Sequence, residues 1–318
     1  MPDPLKTPLP NSRQTPRFAG VSTFCRFPLL ENLNSPPDWA LYGIPFDGGV
    51  TYRPGARFGP RAIREQSAYV KPYHLEHNLN LAERFSLCDA GDAPVRPFST
   101  RKTQDAACEF ALTLGDAHTR LLAVGGDHSI ALANLRATHT RHGGGRPLSL
   151  LHFDSHLDTV DVVWGEKYNH ASPFIRAIEE DLIDPRRMIS IGVKGPLNAA
   201  GDLDYARGHG IELVTCNDWR HREGVNRITT FVQRLRQSGE PVYLTFDIDA
   251  IDPAYAPGTG TPSIGGFTSS EALDLLRVCR GVNLVGADVV EVLPAMDPAG
   301  ITALLAAHII FEILCLAA

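Results

Sequence analysis

The chain has 318 residues, 43% of them hydrophobic, and a formal net charge of −6 from 30 basic and 36 acidic side chains. That length and apolar content suffice for one large α/β unit with a sizeable core, and the acidic balance argues against nucleic acid or an anionic membrane as a main partner. The six cysteines are scattered without a CxxC pair, which reads as reduced core thiols in a cytoplasmic protein and not as a disulfide framework or zinc knuckle.

In chain order, residues 1–17 (MPDPLKTPLPNSRQTPR) are rich in proline and lack an apolar h-region, so they read as an N-terminal arm and not a signal peptide. No repeat or linker divides the remainder of the chain, and 1–318 reads as a single domain. Strand-like apolar runs fall at 39–45, 120–126, 148–154, 188–193, 211–215, 241–247 and 282–292. Helical patterns near 103–118, 129–141, 172–181, 224–238 and 269–279 alternate with them. Such alternation predicts a three-layer α/β/α sandwich, a mostly parallel sheet with helices on both faces. The closing ITALLAAHIIFEILCLAA is apolar enough to suggest a membrane span. It carries His308 and Glu312 four residues apart on one helical face, however, and reads instead as a buried terminal helix.

Residues 151–160, LHFDSHLDTV, place His152, Asp154, His156 and Asp158 at every second position after a continuous apolar run. In an extended strand those four share one face. A solvated edge strand would also alternate, but the apolar lead-in marks a strand covered on both faces. Two carboxylates beside two imidazoles are costly there unless something cationic pairs with them. The same device recurs in TFDIDAIDP, where Asp247 and Asp249 come after another apolar run. LLAVGG runs into Asp127-His128, and ADVV ends at Glu291. Four strands therefore aim acids or imidazoles at the carboxyl edge of the sheet, where ligands bind in such folds.

His128, Asp154, His156, Asp158, Asp247 and Asp249 are the candidate metal ligands. Four carboxylates match the charge of two divalent cations, and six residues exceed the needs of one ion. A carboxylate-dominated set without thiolate favours Mn²⁺, with Ni²⁺ or Co²⁺ as alternatives. Simple capping is the competing reading for Asp247 and Asp249. His152 reads as a core or supporting histidine, and Asp252, before Pro253, as a turn residue.

GGDHS (125–129), DSHLD (154–158) and FDIDAIDPAYAPGTGTP (246–262) resemble the signature blocks of the ureohydrolases, the arginase and agmatinase family. The similarity extends through GVTYRPGARFGPRAIRE (49–65) and GEKYNHASPF (165–174), and leans toward the guanidinobutyrase, agmatinase and proclavaminate amidinohydrolase branch. It implies an arginase-like fold, a binuclear Mn²⁺ centre, and a homotrimer or homohexamer. It also implies one metal on His128, Asp154, Asp158 and Asp247, and another on Asp154, His156, Asp247 and Asp249. By the same resemblance Glu291 orients the guanidinium and His170 shuttles a proton to the leaving amine. The implied reaction hydrolyses a linear guanidino compound, of the 4-guanidinobutanoate or agmatine type, to an amine and urea. Free guanidine or an N-substituted biguanide is an alternative substrate, and a non-catalytic partner subunit is the alternative from another class.

Several positions depart from the family pattern: Ser155 where Ala is usual, Ala171 where Gly is usual, and Leu293 for a frequent Ser. Trp164, Tyr168, Asn169 and Ala171 fall in the loop expected to meet the substrate tail. Asp161 or Glu166 would suit an ammonium tail, and Lys167 or Asn169 a carboxylate. GTGTP (258–262) lacks the Lys and helix of a phosphate loop and reads as backbone lining the site. Arg53, Arg57, Arg61 and Arg64 read as packing and subunit contacts.

Overall fold

In a computed structural model that describes residues 5–318, the apolar runs pair into one eight-stranded sheet. The strands are β1 (Trp39–Ile44), β2 (Leu87–Asp92), β3 (Arg120–Gly125), β4 (Leu148–Phe153), β5 (Ile183–Val193), β6 (Glu212–Thr215), β7 (Val242–Asp247) and β8 (Leu284–Val290). Their order is β2-β1-β3-β8-β7-β4-β5-β6, and every pairing in this sheet is parallel. The expected strands are all present. The sequence pattern did not reveal β2, whose LCDAGD is poor in strand-forming residues, and it shortened β5 because of the polar start IDPRR.

Helices cover both faces, which is why the central strands are buried at every position and largely apolar. On one side, α1 (Gly59–Ser67), α5 (Arg222–Ser238), α6 (Ser269–Val278) and α7 (Ile301–Leu316) pack on Leu122, Leu151, Phe153, Leu244 and Phe246. On the other, α2 (Thr100–Leu112), α3 (Ala131–His142) and α4 (Pro173–Glu179) cover Tyr42, Leu121, Ala123, Leu150 and Tyr243. Local signals start several helices. Ser99 caps α2 by accepting the Lys102 N–H, Thr268 and Glu271 form a reciprocal capping box on α6, and proline opens α1 and α4.

The terminal helix α7 is buried against α1 and α6 within this chain. Its one buried acid, Glu312, is compensated: Arg277 Nη2 donates at 2.7 Å and His74 Nε2 lies at 3.0 Å. Among the described residues no helix is long and apolar enough to cross a membrane. Of the expected N-terminal arm, residues 1–4 lie outside the described residues. Within 5–17, Thr7 is buried, its N–H donating to Ala82 O and its hydroxyl accepting from Leu87 N–H at the start of β2.

The four strands singled out for their polar ends, β3, β8, β7 and β4, are consecutive in the sheet. Register brings the ends level, with Val290 opposite Asp247 and Phe153 opposite Phe246. The result is a single acidic patch at the middle of the carboxyl edge.

Candidate functional site

The expected alternation through 152–158 holds only for the first pair. Strand β4 stops at Phe153, and Asp154 Oδ1 accepts the His156 N–H at 2.6 Å, an Asx turn that curls the chain away from the sheet. Asp158 then takes a left-handed φ of 51°. His156 and Asp158 reach the patch through this curl and not through a strand face. Asp247 behaves similarly: it ends β7 and caps the next turn by accepting Asp249 N–H at 2.8 Å. Capping and clustering are therefore not competing roles for this residue.

His128 is fully buried, and its Nδ1 lies 3.0 Å from Asp154 Oδ2, 2.8 Å from Asp158 Oδ2 and 3.5 Å from Asp247 Oδ2. Despite those distances Nδ1 makes no hydrogen bond of acceptable geometry. A buried nitrogen surrounded by carboxylate oxygens, yet bonded to none, suits a cation placed among them. A second group lies alongside: His156 Nδ1 is 3.4 Å from Asp154 Oδ1 and 3.1 Å from Asp249 Oδ2. Asp249 is fixed by the Ser155 N–H (3.1 Å) and hydroxyl (2.8 Å), so the serine that departs from the family pattern supports this acid. His152 bridges Ser190 Oγ and Asp154 Oδ2, both at 2.9 Å, and holds Asp154 in place.

The electrostatics match this crowding. Burial raises Asp247 well above the usual carboxylate range, and Asp249 and Asp154 raise it further. Burial and then Asp154 raise Asp158. Asp154, facing three imidazoles, is held well below that range against its burial. Acids that repel one another out of water are stabilised by bound cations.

Reasoning from sequence missed the support behind His128. Its Nε2 lies 2.8 Å from Thr245 Oγ1, which donates to Asp288 Oδ1 at 2.5 Å. Asp288 Oδ2 accepts from Tyr243 OH at 2.5 Å. Thr245 has one proton and gives it to Asp288, so His128 Nε2 is the donor, and the neutral ring that a cation requires would turn its Nδ1 lone pair toward the acids; without a cation those acids raise His128 well above its ordinary value against its burial. The hint in sequence was alternation, since Tyr243, Thr245 and Asp247 share a face of β7.

Beside the acids lies a cleft of about 560 Å³ lined in part by His156, Asp158, Asp247, His170, Ala171 and Trp164. His170 Nδ1 is 2.9 Å from Glu291 Oε1, which also accepts the His128 N–H at 2.9 Å. Glu291 is 1% exposed, and its Oε2 has no hydrogen bond among the described residues. On the other side of the ring, Thr51 N–H donates to His170 Nε2 at 3.0 Å and the Thr51 hydroxyl lies at 2.7 Å. Burial opposes a charge on His170, but the Glu291 hydrogen bond and charge, then Asp127 and Asp158, outweigh it and push the imidazole up to about 9. Asp127, noted as a strand-end acid but given no role, is raised to about 7 by burial and by Glu291. Its Oδ2 holds the Gly49 N–H at 2.7 Å.

The loop residues expected at the substrate tail separate. Ala171 lines the cleft, while Trp164 stands on its rim, 80% exposed, at the tip of a tight turn closed by reciprocal Val163–Glu166 backbone bonds. Tyr168 and Asn169 line a neighbouring cavity beyond Trp164. The Asn169 side chain is spent on the loop itself, bonding Glu166 O and Ala171 N–H. Asp161 lines neither cavity and is ion-paired to Arg176. The close backbone approach expected of GTGTP is present, since Gly258 and Gly260 leave no room for a Cβ against Asp297 and Arg53 O, but of this run Thr261 alone lines the cleft, its hydroxyl reaching Asp249 Oδ2 at 3.3 Å. Asp252 is a turn residue, accepting from the Ala254, Gly265 and Gly266 N–H groups. Arg57 and Arg64 pair with Asp47, and with Asp89 and Asp92, inside the chain.

A model of the arginase family matches residues 37–316. The chain belongs to the arginase family. Among relatives, proclavaminate amidinohydrolase from Streptomyces clavuligerus is 41% identical over 308 residues, 96% of this chain and 95% of that one. Its solved structure superposes with a TM-score of 0.86, at 40% identity over 95% of this chain and 99% of that chain. Guanidinopropionase from Pseudomonas aeruginosa is 42% identical, covering 97% of this chain and 95% of its own. Mitochondrial agmatinase from Gallus gallus is 37% identical, covering 96% and 88%. As a member of this family the chain is a ureohydrolase, a metal-dependent hydrolase of C–N bonds in guanidino compounds, with the arginase-like α/β fold.

Proposed function

We propose that this ureohydrolase cleaves a linear guanidino compound, of the 4-guanidinobutanoate or agmatine type, into an amine and urea at the carboxyl edge of β3, β8, β7 and β4. The observation that carries the reading is His128 Nδ1, unbonded among Asp154, Asp158 and Asp247 beside a cleft open to His170. In this reading His128, Asp154, Asp158 and Asp247 hold one divalent cation, and Asp154, His156, Asp247 and Asp249 hold a second. Donors dominated by carboxylate oxygen, with imidazole and no thiolate, suit Mn²⁺ first and Ni²⁺ or Co²⁺ next.

A guanidinium is resonance-stabilised and stays protonated, so its carbon is a poor electrophile. A pair of divalent cations, when bound, supplies water activated for attack at neutral pH. The chain's own residues do the rest. Glu291, whose Oε1 holds His170 and the His128 N–H and whose Oε2 has no partner among the described residues, orients the guanidinium N–H groups by charge-assisted hydrogen bonds. His170 delivers a proton to the departing amine nitrogen as the C–N bond breaks. The Thr51 hydroxyl can rotate to accept the proton at His170 Nε2, whereas the Thr51 N–H donates to Nε2 only in the neutral ring, so protonation exchanges one Thr51 contact for the other. A cleft of about 560 Å³ exceeds what free guanidine fills, which favours a substrate with a tail.

The test is urea release by protein loaded with Mn²⁺ or Ni²⁺, across guanidino compounds of graded tail length and charge. Turnover of 4-guanidinobutanoate, 3-guanidinopropanoate or agmatine well above free guanidine is expected. Absence of urea from every linear compound refutes the reading.

A further inference from the structure

The cleft beside the acids is not the whole of the accessible space. A second cavity of about 660 Å³ shares Thr51, Val163 and Trp164 with it and continues past Gly48–Thr51 to Pro97–Arg101, Glu166 and Tyr168. Thr51 touches His170 Nε2 directly, so this cavity begins one residue from the proposed proton donor. Trp164, held on its turn by φ 52° with Gly165 after it at φ 85°, stands between the two like a post.

Charge is distributed unequally over the pair. The inner cleft is lined by Asp158, Asp202 and Asp247 and by no lysine or arginine. Arg101 is the cationic side chain of the outer cavity, and among the residues lining either space it is the one lysine or arginine. It is in the first turn of α2, which contains no acid, with its guanidinium 5.6 Å from the Tyr168 ring. It has no carboxylate partner among the described residues, although Glu166 lines the same cavity. Thr100 and Ser99, beside it in the lining, carry hydroxyls.

We propose that Arg101 receives the carboxylate of the substrate's tail, and that the enzyme is therefore specific for ω-guanidino carboxylic acids; this rests on the guanidino-hydrolase reading above. With Asp158 and Asp247 engaged by the cations, Asp202 is the acid left to oppose an anionic tail in the inner cleft, which offers that tail no lysine or arginine. Past Trp164, Arg101 is the one lysine or arginine lining the two adjoining cavities and offers that tail a partner, while the guanidinium end is oriented by Glu291. A planar guanidinium restrained by an aromatic face is suited to bidentate capture of a carboxylate. Glu166, which lines the same cavity, opposes that tail by like charge and lowers its affinity. An ammonium tail gains nothing from Arg101.

The experiment measures kcat and KM of metal-loaded parent, Arg101→Ala, Arg101→Lys and Glu166→Gln. The substrates are 3-guanidinopropanoate, 4-guanidinobutanoate, its neutral carboxamide, and agmatine. The expected result is that the parent prefers an acid, and that Arg101→Ala raises KM for that acid by about tenfold to a hundredfold with kcat nearly kept. The carboxamide is unaffected, Arg101→Lys recovers part of the loss, and Glu166→Gln lowers KM for the acid. Arg101 is exposed, so its loss does not threaten the fold. Equal losses on acid and carboxamide, no loss on either, or a parent that prefers agmatine would each overturn the role of Arg101. A parent inactive on every compound, by contrast, refutes the hydrolase reading itself.

Discussion

Replacing Thr245 by Val keeps the shape of a fully buried side chain and removes one hydroxyl. That hydroxyl accepts from His128 Nε2 at 2.8 Å and donates to Asp288 Oδ1 at 2.5 Å, so two buried groups lose a partner at once. Each unsatisfied buried group costs about 1–3 kcal/mol, which lowers the stability of the metal-free protein. The functional consequence is separate. Without an acceptor at Nε2 the ring is no longer held with its Nδ1 lone pair toward Asp154, Asp158 and Asp247. Loss of such support behind a ligating histidine weakens metal binding about tenfold to a hundredfold. Competition with a chromogenic chelator for Mn²⁺ reads that change directly. Thermal melts with and without metal read it again, since every tenfold in Kd removes about 1.4 kcal/mol of metal-induced stabilisation at saturating metal. Thr245→Ser restores the hydroxyl and should recover affinity, and Asp288→Asn should fall between Ser and Val. If Thr245→Val melts lower in the metal-free state yet binds Mn²⁺ with the parent's affinity, the contact is structural only and the orientation argument fails.

Elemental analysis of protein incubated with excess metal should find about two equivalents per chain; Asp154→Ala and Asp247→Ala should lose metal and activity, Asp249→Ala should retain more, and equal retention in all three would refute the bridging assignment. His170→Ala should slow turnover by about a hundredfold or more with metal content unchanged. With the His170 imidazole raised from 6.5 to about 9, its contribution to the stability of the metal-free protein is fully present below pH 6.5 and lost as pH rises through 9. Urea denaturation across that window should show the loss in the parent and its absence in His170→Gln; identical slopes would remove the Glu291 pairing as its cause. Glu312→Ala removes the acid shared by His74 and Arg277 beneath α7, and because both keep Glu76 nearby it should cost about 1–3 kcal/mol by the same denaturation assay; an unchanged midpoint would show that α7 is held by apolar packing alone.

The chemistry of the patch is legible in the chain because its donors are local: an apolar run that fills a covered strand cannot end in paired acids without a partner for them. The same logic separated His152 from the candidate ligands and made Asp252 a turn residue, since the cues, a deeper strand position and a proline next in sequence, lie within a few residues. The buried terminal helix is legible from His308 and Glu312 on an otherwise apolar segment. What the chain does not show is anything decided by which strands become neighbours. Only the order β3-β8-β7-β4 brings four distant strand ends together, and only across that junction does Thr245 on β7 meet both His128 after β3 and Asp288 on β8. The curl at Asp154 was hidden because a carboxylate that accepts a backbone N–H two residues on ends a strand without changing the hydrophobic pattern before it. Asp161 and Asn169 had the right chemistry for a substrate tail, but Arg176 and the loop's own backbone claim them first. Arg101, some sixty residues from that loop in sequence, becomes a candidate only when α2 folds against it, because a cavity wall is made of surfaces that no spacing along one chain records.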